Sequence, residues 1–474
     1  MKSAYSFCDH AKVSFLIALL PVFFGFTSPF TIVENLPGFH GRLPFYLETG
    51  YVGVGGSNES QLFYYFVESQ RSPSQDPLLL WLAGGPGCSA LSAFFYGNGP
   101  LAFTYVSSNG SLPTLHLNPF TWTQGLNVLY VDAPVGTGFS YSTTEENYFT
   151  DDYKSAYETY EFLQKWLTDH PQYQTNVLYI GGDTYSGITL PITVQKIFDG
   201  NDAGVKPLMK LRGYVLGNPN TDDYIDGNAR VPFARRLTLI SDELYEDAKE
   251  SCGGNYVEIS SNNTACVQDM DEINELLQQI NMFQVLEPIC PATYTRPVEV
   301  PDGYRRILED NRDDLLDQPG SSTLWCRDYN YVPSSVWAND ENVRVALGIR
   351  NGTKGMWERC NGSLAYTKTV TSSIHYHENF TNTNLRALIY SGDHDMSVTN
   401  PGTQTWLGSI GMTLSDTWRA WYVDGQVAGY TEEYSNDGFT LYYATVKATG
   451  HVALEYKPKE CYLLLDRWLA FFPF

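Results

Sequence analysis

Basic residues are scarce in this chain of 474: 30 Lys and Arg stand against 53 Asp and Glu, giving a net charge of −23 and a pI near 4.6. A phosphate backbone or an anionic bilayer selects a basic patch, so neither nucleic acid nor anionic membrane is an expected partner. The acidity reads as solubility in an acidic lumen. Long apolar runs are missing after the first segment, which excludes a membrane anchor in the mature chain. The early run, Val13 to Phe26, is short for a span and comes with Lys2 and Lys12, so residues 1–28 read as a secretory signal cleaved near Thr27 to Phe30. Closely spaced cysteines are missing too. Of eight, Cys8 leaves with the signal, and Cys88, Cys252, Cys266, Cys290, Cys326, Cys360 and Cys461 lie too far apart for zinc pairs. In an oxidising compartment they form disulfides, and an odd count leaves one thiol over. There is no internal repeat and no low-complexity tract. Val52-Gly-Val-Gly-Gly56 precedes a strand instead of a helix, so the dinucleotide fingerprint lacks its context, and no cofactor is expected.

What is present begins with short apolar runs rich in β-branched and aromatic residues. Leu62 to Val67, Leu78 to Leu82, Val128 to Val131, Val177 to Ile180, Tyr214 to Leu216, Ala387 to Tyr390 and Leu441 to Val446 read as strands. Between two of them, Asp151 to His170 carries Tyr153, Ala156, Tyr157, Tyr160, Leu163 and Leu167 at helical spacing and stops at Pro171. This alternation predicts an α/β fold with a parallel sheet and crossover helices. From Asn218 to Asp340 the chain turns polar, with a helical piece near Ile273 to Ile280, and reads as an insertion capping the sheet. The core is then residues 29–217 and 341–474, and 296–317 is a loop or processing site. Six sequons fit the secretory route, at Asn58, Asn109, Asn262, Asn351, Asn361 and Asn379.

The chemistry centres on Gly182-Asp-Thr-Tyr-Ser-Gly187, directly after a predicted strand, where an α/β-hydrolase places its nucleophile elbow. Here Thr184 occupies the reactive place. A β-branched residue tolerates the positive φ of an elbow poorly, and its methyl competes for the space of an attacked carbonyl. The triad order of that fold puts the acid after a late strand and the histidine beyond the last one. Asp395, chosen over Asp393 with the latter left open, and His451 satisfy that order. The loop Ala83-Gly84-Gly85-Pro86-Gly87 ends another strand. Gly85 N–H and Tyr185 N–H would together form an oxyanion hole. His375-Tyr-His377 has no carboxylate or cysteine partner at metal spacing, and no metal is expected.

These motifs resemble the serine carboxypeptidase family over nearly the whole mature chain. They are Asp76 to Ser89, Asp132-Ala-Pro-Val-Gly-Thr-Gly-Phe-Ser-Tyr141, the elbow, Tyr390-Ser-Gly-Asp-His-Asp395, and Gly450-His451 before Glu455-Tyr-Lys-Pro458. Leu36-Pro-Gly-Phe, Leu43 to Tyr51 and an elbow of the form Gly-Asp-x-Tyr-Ser-Gly are similar to the plant acyltransferase branch. The resemblance implies an α/β-hydrolase fold and acyl transfer from a glucose ester, through an acyl-enzyme, to an alcohol. It also implies the pairs Cys88–Cys360, Cys252–Cys266 and Cys290–Cys326, with Cys461 left over. Departures cluster at the site. Peptidases of the family hold a substrate carboxylate with asparagine and glutamate where Ala83 and Asp183 stand beside Gly84, so peptidase activity is not expected. Gly97 replaces a usual glutamate before Asn98-Gly99-Pro100, Val452-Ala-Leu454 replaces Thr-Ala-Pro, and Thr184 replaces serine.

The first expectation is therefore a catalytically impaired companion that forms a hetero-oligomer with an active paralog in making acylated phenolics such as galloylated flavan-3-ols. The second is a working acyltransferase using Thr184, His451 and Asp395. Either would travel the secretory pathway to the vacuole or the extracellular space.

Overall fold

The seven apolar runs become neighbours in one twelve-stranded sheet. The structure is a computed structural model describing residues 30–104, 112–289, 327–472 and 474. The signal segment, Asn109, Cys290, Cys326 and the 296–317 segment lie outside the described residues. The main strands are β1 (Phe30–Ile32), β2 (Leu47–Val54), β3 (Ser60–Val67), β4 (Leu78–Leu82), β5 (Asn127–Val131), β6 (Leu178–Asp183), β7 (Leu211–Gly217), β8 (Arg386–Gly392), β9 (Thr413–Val423), β10 (Gln426–Asn436) and β11 (Phe439–Val446). Their order is β1-β2-β3-β5-β4-β6-β7-β8-β11-β10-β9, and the short strand Tyr141–Ser142 pairs with β3 beside this path. The middle, β5 to β11 in that order, is parallel throughout. Both ends are antiparallel. This is the α/β-hydrolase arrangement.

The middle strands are buried along their length because helices cover both faces, which is why they are written as continuous apolar runs. Alternate residues serve opposite faces. Leu79, Trp81, Val128 and Tyr130 pack on one side with Leu464, Leu465 and Trp468 of the helix Pro458–Leu469. Leu78, Leu80, Leu82, Leu129 and Val131 pack on the other with Phe162, Leu163, Trp166 and Leu167. These four belong to the helix Asp152–Asp169, whose start is capped by Asp151 accepting from Lys154 N.

Three helices of the insertion, Arg230–Arg236, Asp242–Cys252 and Thr264–Leu277, share a small core of Val231, Phe233, Leu244, Ala248 and Ile273, which Met396 joins from the sheet side. Ile225 of the helix Asp223–Asn228 instead packs against the sheet core. Sequence pattern puts Trp337 in this insertion, but the helix Val332–Ala338 already belongs to the main core. Trp337 stands edge-on to Phe95 at 5.0 Å, and its Nε1 donates to the Pro37 carbonyl at 2.7 Å. The pattern of apolar runs does not mark strands β2, β9 and β10. β2 contains Gly50 and Gly53, and much of β9 is exposed, so neither shows an apolar run. Among the described residues no helix is long and apolar enough to cross a membrane.

Candidate active site

β6 delivers Asp183 to the edge of the sheet, the helix Ser186–Asp202 leaves it, and Thr184 makes the turn between them at φ +55°. A threonine in this left-handed region is strained, and the surroundings hold it there. Thr184 N–H donates to Gly217 O at 2.9 Å, and its carbonyl accepts from Gly187 N at 3.0 Å and Asn220 N at 2.9 Å. The helix passes Asn220 so closely that a Cβ on Gly187 would meet the Asn220 carbonyl oxygen at 2.1 Å, so glycine is required.

Thr184 Oγ1 lies 3.0 Å from His451 Nε2, and His451 Nδ1 lies 2.8 Å from Asp395 Oδ2. Asp395 is fully buried and accepts two further bonds, from Asn218 Nδ2 and from Ser397 N, each at 2.8 Å. Asp393 instead receives His394 Nδ1 at 2.6 Å. The structure thus brings Thr184, His451 and Asp395 together and sets Asp393 aside. Burial disfavours charge on His451, but the attraction and hydrogen bond of Asp395, with Asp183 and Glu455 behind them, raise its pKa above the ordinary imidazole value. Phe283, from the insertion, accepts His451 N–H through its carbonyl at 2.7 Å and places its ring 5.1 Å from the imidazole.

The loop after β4 runs beside the elbow. A Cβ on Gly84 would come within 2.5 Å of Thr184 Cβ, so the threonine side chain fills the space against this backbone. Gly84 N–H donates to Asp183 Oδ1 at 3.1 Å. Burial pushes the Asp183 carboxyl up to about 6, opposed by His451 and by that N–H. The N–H groups of Gly85 and Tyr185 have no hydrogen-bond partner among the described residues. Ala83, Tyr185 and Ser186 line a small recess with Ala133, Pro134 and Tyr366. Gly97 ends the helix Leu91–Tyr96.

Asn218 escaped the sequence reading. Its cue is the Gly217-Asn218-Pro219 end of β7, where φ is +43°, a value asparagine tolerates well. Glu455, in the stretch after His451, is the second omission. Burial raises its carboxyl, and Tyr331 O–H donates to it at 2.7 Å. Arg359 lies over the Tyr331 ring at 3.9 Å.

Away from the centre, the disulfides Cys88–Cys360 and Cys252–Cys266 are formed and Cys461 is a buried free thiol. Asn58, Asn262, Asn351 and Asn379 are exposed, whereas Asn361 is half-buried and its Nδ2 donates to Gly136 O at 3.0 Å. His377 is buried with Nδ1 at 2.8 Å from the Tyr214 hydroxyl, while His375 is exposed; burial drives the His377 pKa down to about 3. Among the described residues no group of three His, Cys, Asp or Glu is placed to hold a metal.

Comparison with known proteins finds similarity over nearly all of the chain. The serine carboxypeptidase family model matches residues 37–470. In Arabidopsis thaliana, serine carboxypeptidase-like 16 is 44% identical over 440 residues, covering 93% of this chain and 94% of that protein. Serine carboxypeptidase-like 2 of the same plant is 43% identical over 439 residues, covering 93% and 92%. Among solved structures, a prohormone-processing carboxypeptidase from Saccharomyces cerevisiae superimposes with a TM-score of 0.70 at 18% identity, covering 92% of each chain.

Proposed function

Because the chain belongs to the serine carboxypeptidase family, we propose that it is a member of the acyltransferase branch whose own turnover is suppressed at Thr184 and that acts as companion to an active paralog. The observation carrying this reading is a β-branched nucleophile at φ +55°, packed against Gly84. A tetrahedral carbon and its oxyanion must fit between Thr184 Oγ1 and the loop, and the threonine methyl competes for that room. The contacts from Thr184 through His451 to Asp395, 3.0 and 2.8 Å, are intact, so within the triad the departure is the threonine methyl.

Peptidase action is disfavoured by the residues at the carboxylate-holding positions. The Ala83 side chain has no donor for a substrate carboxylate, and one oxygen of the half-buried Asp183 is already taken by Gly84 N–H, so the clamp is incomplete. The acyl groups of the paired enzyme would pass from glucose esters to phenolic acceptors such as flavan-3-ols. Two disulfides and the exposed sequons fit passage through the secretory pathway, ending in the vacuole or outside the cell.

The 3.0 Å contact of Thr184 Oγ1 with His451 favours a second reading, a working acyltransferase. Thr184 Oγ1 would bond to the acyl carbon, its proton would pass to His451 Nε2, and the departing glucose oxygen would take that proton. Wild type and Thr184→Ser, each alone and with an active paralog, decide between the two. The companion reading expects no acyl adduct on wild type by mass spectrometry and co-purification that raises the paralog's yield. No association and no gain in yield would sink it, and an adduct on Thr184 would establish the second reading.

A further inference from the structure

The two candidate oxyanion donors sit on separate segments, Gly85 after β4 and Tyr185 after β6, and one stretch of chain is bonded to the loop that follows the first and to the carboxylate that holds the second. Residues 359–373 are bonded to the Gly85 side by the Cys88–Cys360 disulfide, by Ser89 N–H to Arg359 O at 2.7 Å and by Asn361 N–H to Gly87 O at 2.9 Å. On the other side they meet Tyr185 through Asp152. This aspartate is fully buried in the first turn of the helix Asp152–Asp169, remote from the triad in sequence. Its Oδ1 accepts from the Tyr185 hydroxyl at 2.8 Å and the Tyr366 hydroxyl at 2.7 Å. Its Oδ2 accepts from Thr369 N at 2.6 Å, Val370 N at 2.8 Å and Thr369 Oγ1 at 3.2 Å.

We propose that Asp152 is a positioning residue for the oxyanion hole, fixing the separation of the Gly85 and Tyr185 N–H groups through the 359–373 strap. A buried carboxylate with five donors is a rigid junction, because removing any donor leaves an oxygen one hydrogen bond short where solvent does not reach to replace it. Tyr185 is tied at its ring tip by Asp152 and at its backbone by the elbow, so its N–H direction follows the carboxylate. Donors must meet the developing oxyanion at hydrogen-bond distance, and a misplacement of about 1 Å is costly. The proposal rests on the acyl-transfer reading of the Thr184 site, and its test separates the two.

The experiment uses the full chain with Thr184→Ser as background, adding Tyr185→Phe, which removes one hydroxyl, or Asp152→Asn. Amide hydrogen exchange needs no substrate, and both additions are expected to speed exchange in residues 183–188 about threefold or more. Acylation by 4-nitrophenyl acetate is expected to fall about tenfold, with its thiono analogue much less affected, since sulfur gains little from oxyanion donors. Unchanged exchange at the elbow, or equal slowing of both esters, would overturn the proposal. Faster exchange in a protein that Thr184→Ser leaves inert to both esters would instead remove the acyl-transfer reading and leave the junction standing.

Discussion

Glu48 and His170, 122 residues apart, meet at 2.9 Å in the interior, and together they join β2 to the end of the helix Asp152–Asp169. The other ring nitrogen, Nδ1, lies 2.8 Å from the Trp166 carbonyl, so both nitrogens face acceptors, an arrangement that favours the protonated ring. Burial opposes that charge, but the hydrogen bond and attraction of Glu48, with the Trp166 carbonyl, outweigh it and raise the His170 pKa. Glu48 also accepts from Tyr64 and Tyr46, at 2.6 and 2.7 Å, and Asp169 adds its attraction. A group raised in the folded state gives stability that is complete below its unfolded value, about 6.5, and is lost as pH climbs through the folded value. Wild type should therefore lose stability as pH rises above about 6.5, along a slope that His170→Gln flattens. Removing the partner of a buried carboxylate should cost about 3 kcal/mol at pH 5 by denaturant unfolding.

His451 has the same sign of shift but a different readout. As the general base it must be neutral, so acylation of Thr184→Ser should fall as pH drops through its raised value. The inflection should lie above about 6.5 and move down in Asp395→Asn, which a pH–rate profile measures. An inflection unmoved by that substitution would contradict the assignment.

Asn218 should matter to both stability and rate. Asn218→Ala leaves a fully buried Asp395 one donor short and strands Gly392 N–H, which now donates to Asn218 Oδ1 at 3.2 Å. A loss of about 2 kcal/mol is expected, with acylation of the Thr184→Ser protein reduced about tenfold. Stability without an effect on rate would make Asn218 a purely structural residue.

The disulfides should differ in worth because they close loops of different length. Cys88–Cys360 spans 272 residues and Cys252–Cys266 spans 14. Chain entropy gives about 6 and about 3 kcal/mol respectively, so paired alanine replacement should cost about 3 kcal/mol more at the first. Unfolding of the two double variants under identical conditions provides the comparison.

Ala448 adopts φ +61° in the turn that leads to His451, with its side chain exposed. Ala448→Gly removes the Cβ clash of that region without losing a packing contact, so it should stabilise the protein by about 1 kcal/mol. A lower melting temperature would contradict this account of the turn.

Several features were legible in sequence because their cause is local. The buried strands show as unbroken apolar runs, Asp151 caps a helix it precedes, and the elbow motif shows where a strand gives way to a helix. Triad order was legible as well, since chain order follows strand order in this fold. The hairpin β9–β10 was not, because much of β9 stays in water and shows no apolar pattern. Trp337 was misplaced because a polar stretch separates it from the sheet residues it packs against.

What the amino-acid sequence determined by itself is the inventory: a strand-ending Thr184 in place of serine, Ala83 and Asp183 in place of a carboxylate clamp, and an acid and histidine in the right order. Only the tertiary structure chose Asp395 over Asp393, found Asn218 and Asp152, and set Thr184 at φ +55° within 3.0 Å of its base. The physical reason is that hydrogen bonds act over about 3 Å. Asp152 lies 33 residues from Tyr185 and 214 from Tyr366, and only folding brings their hydroxyls to one carboxylate.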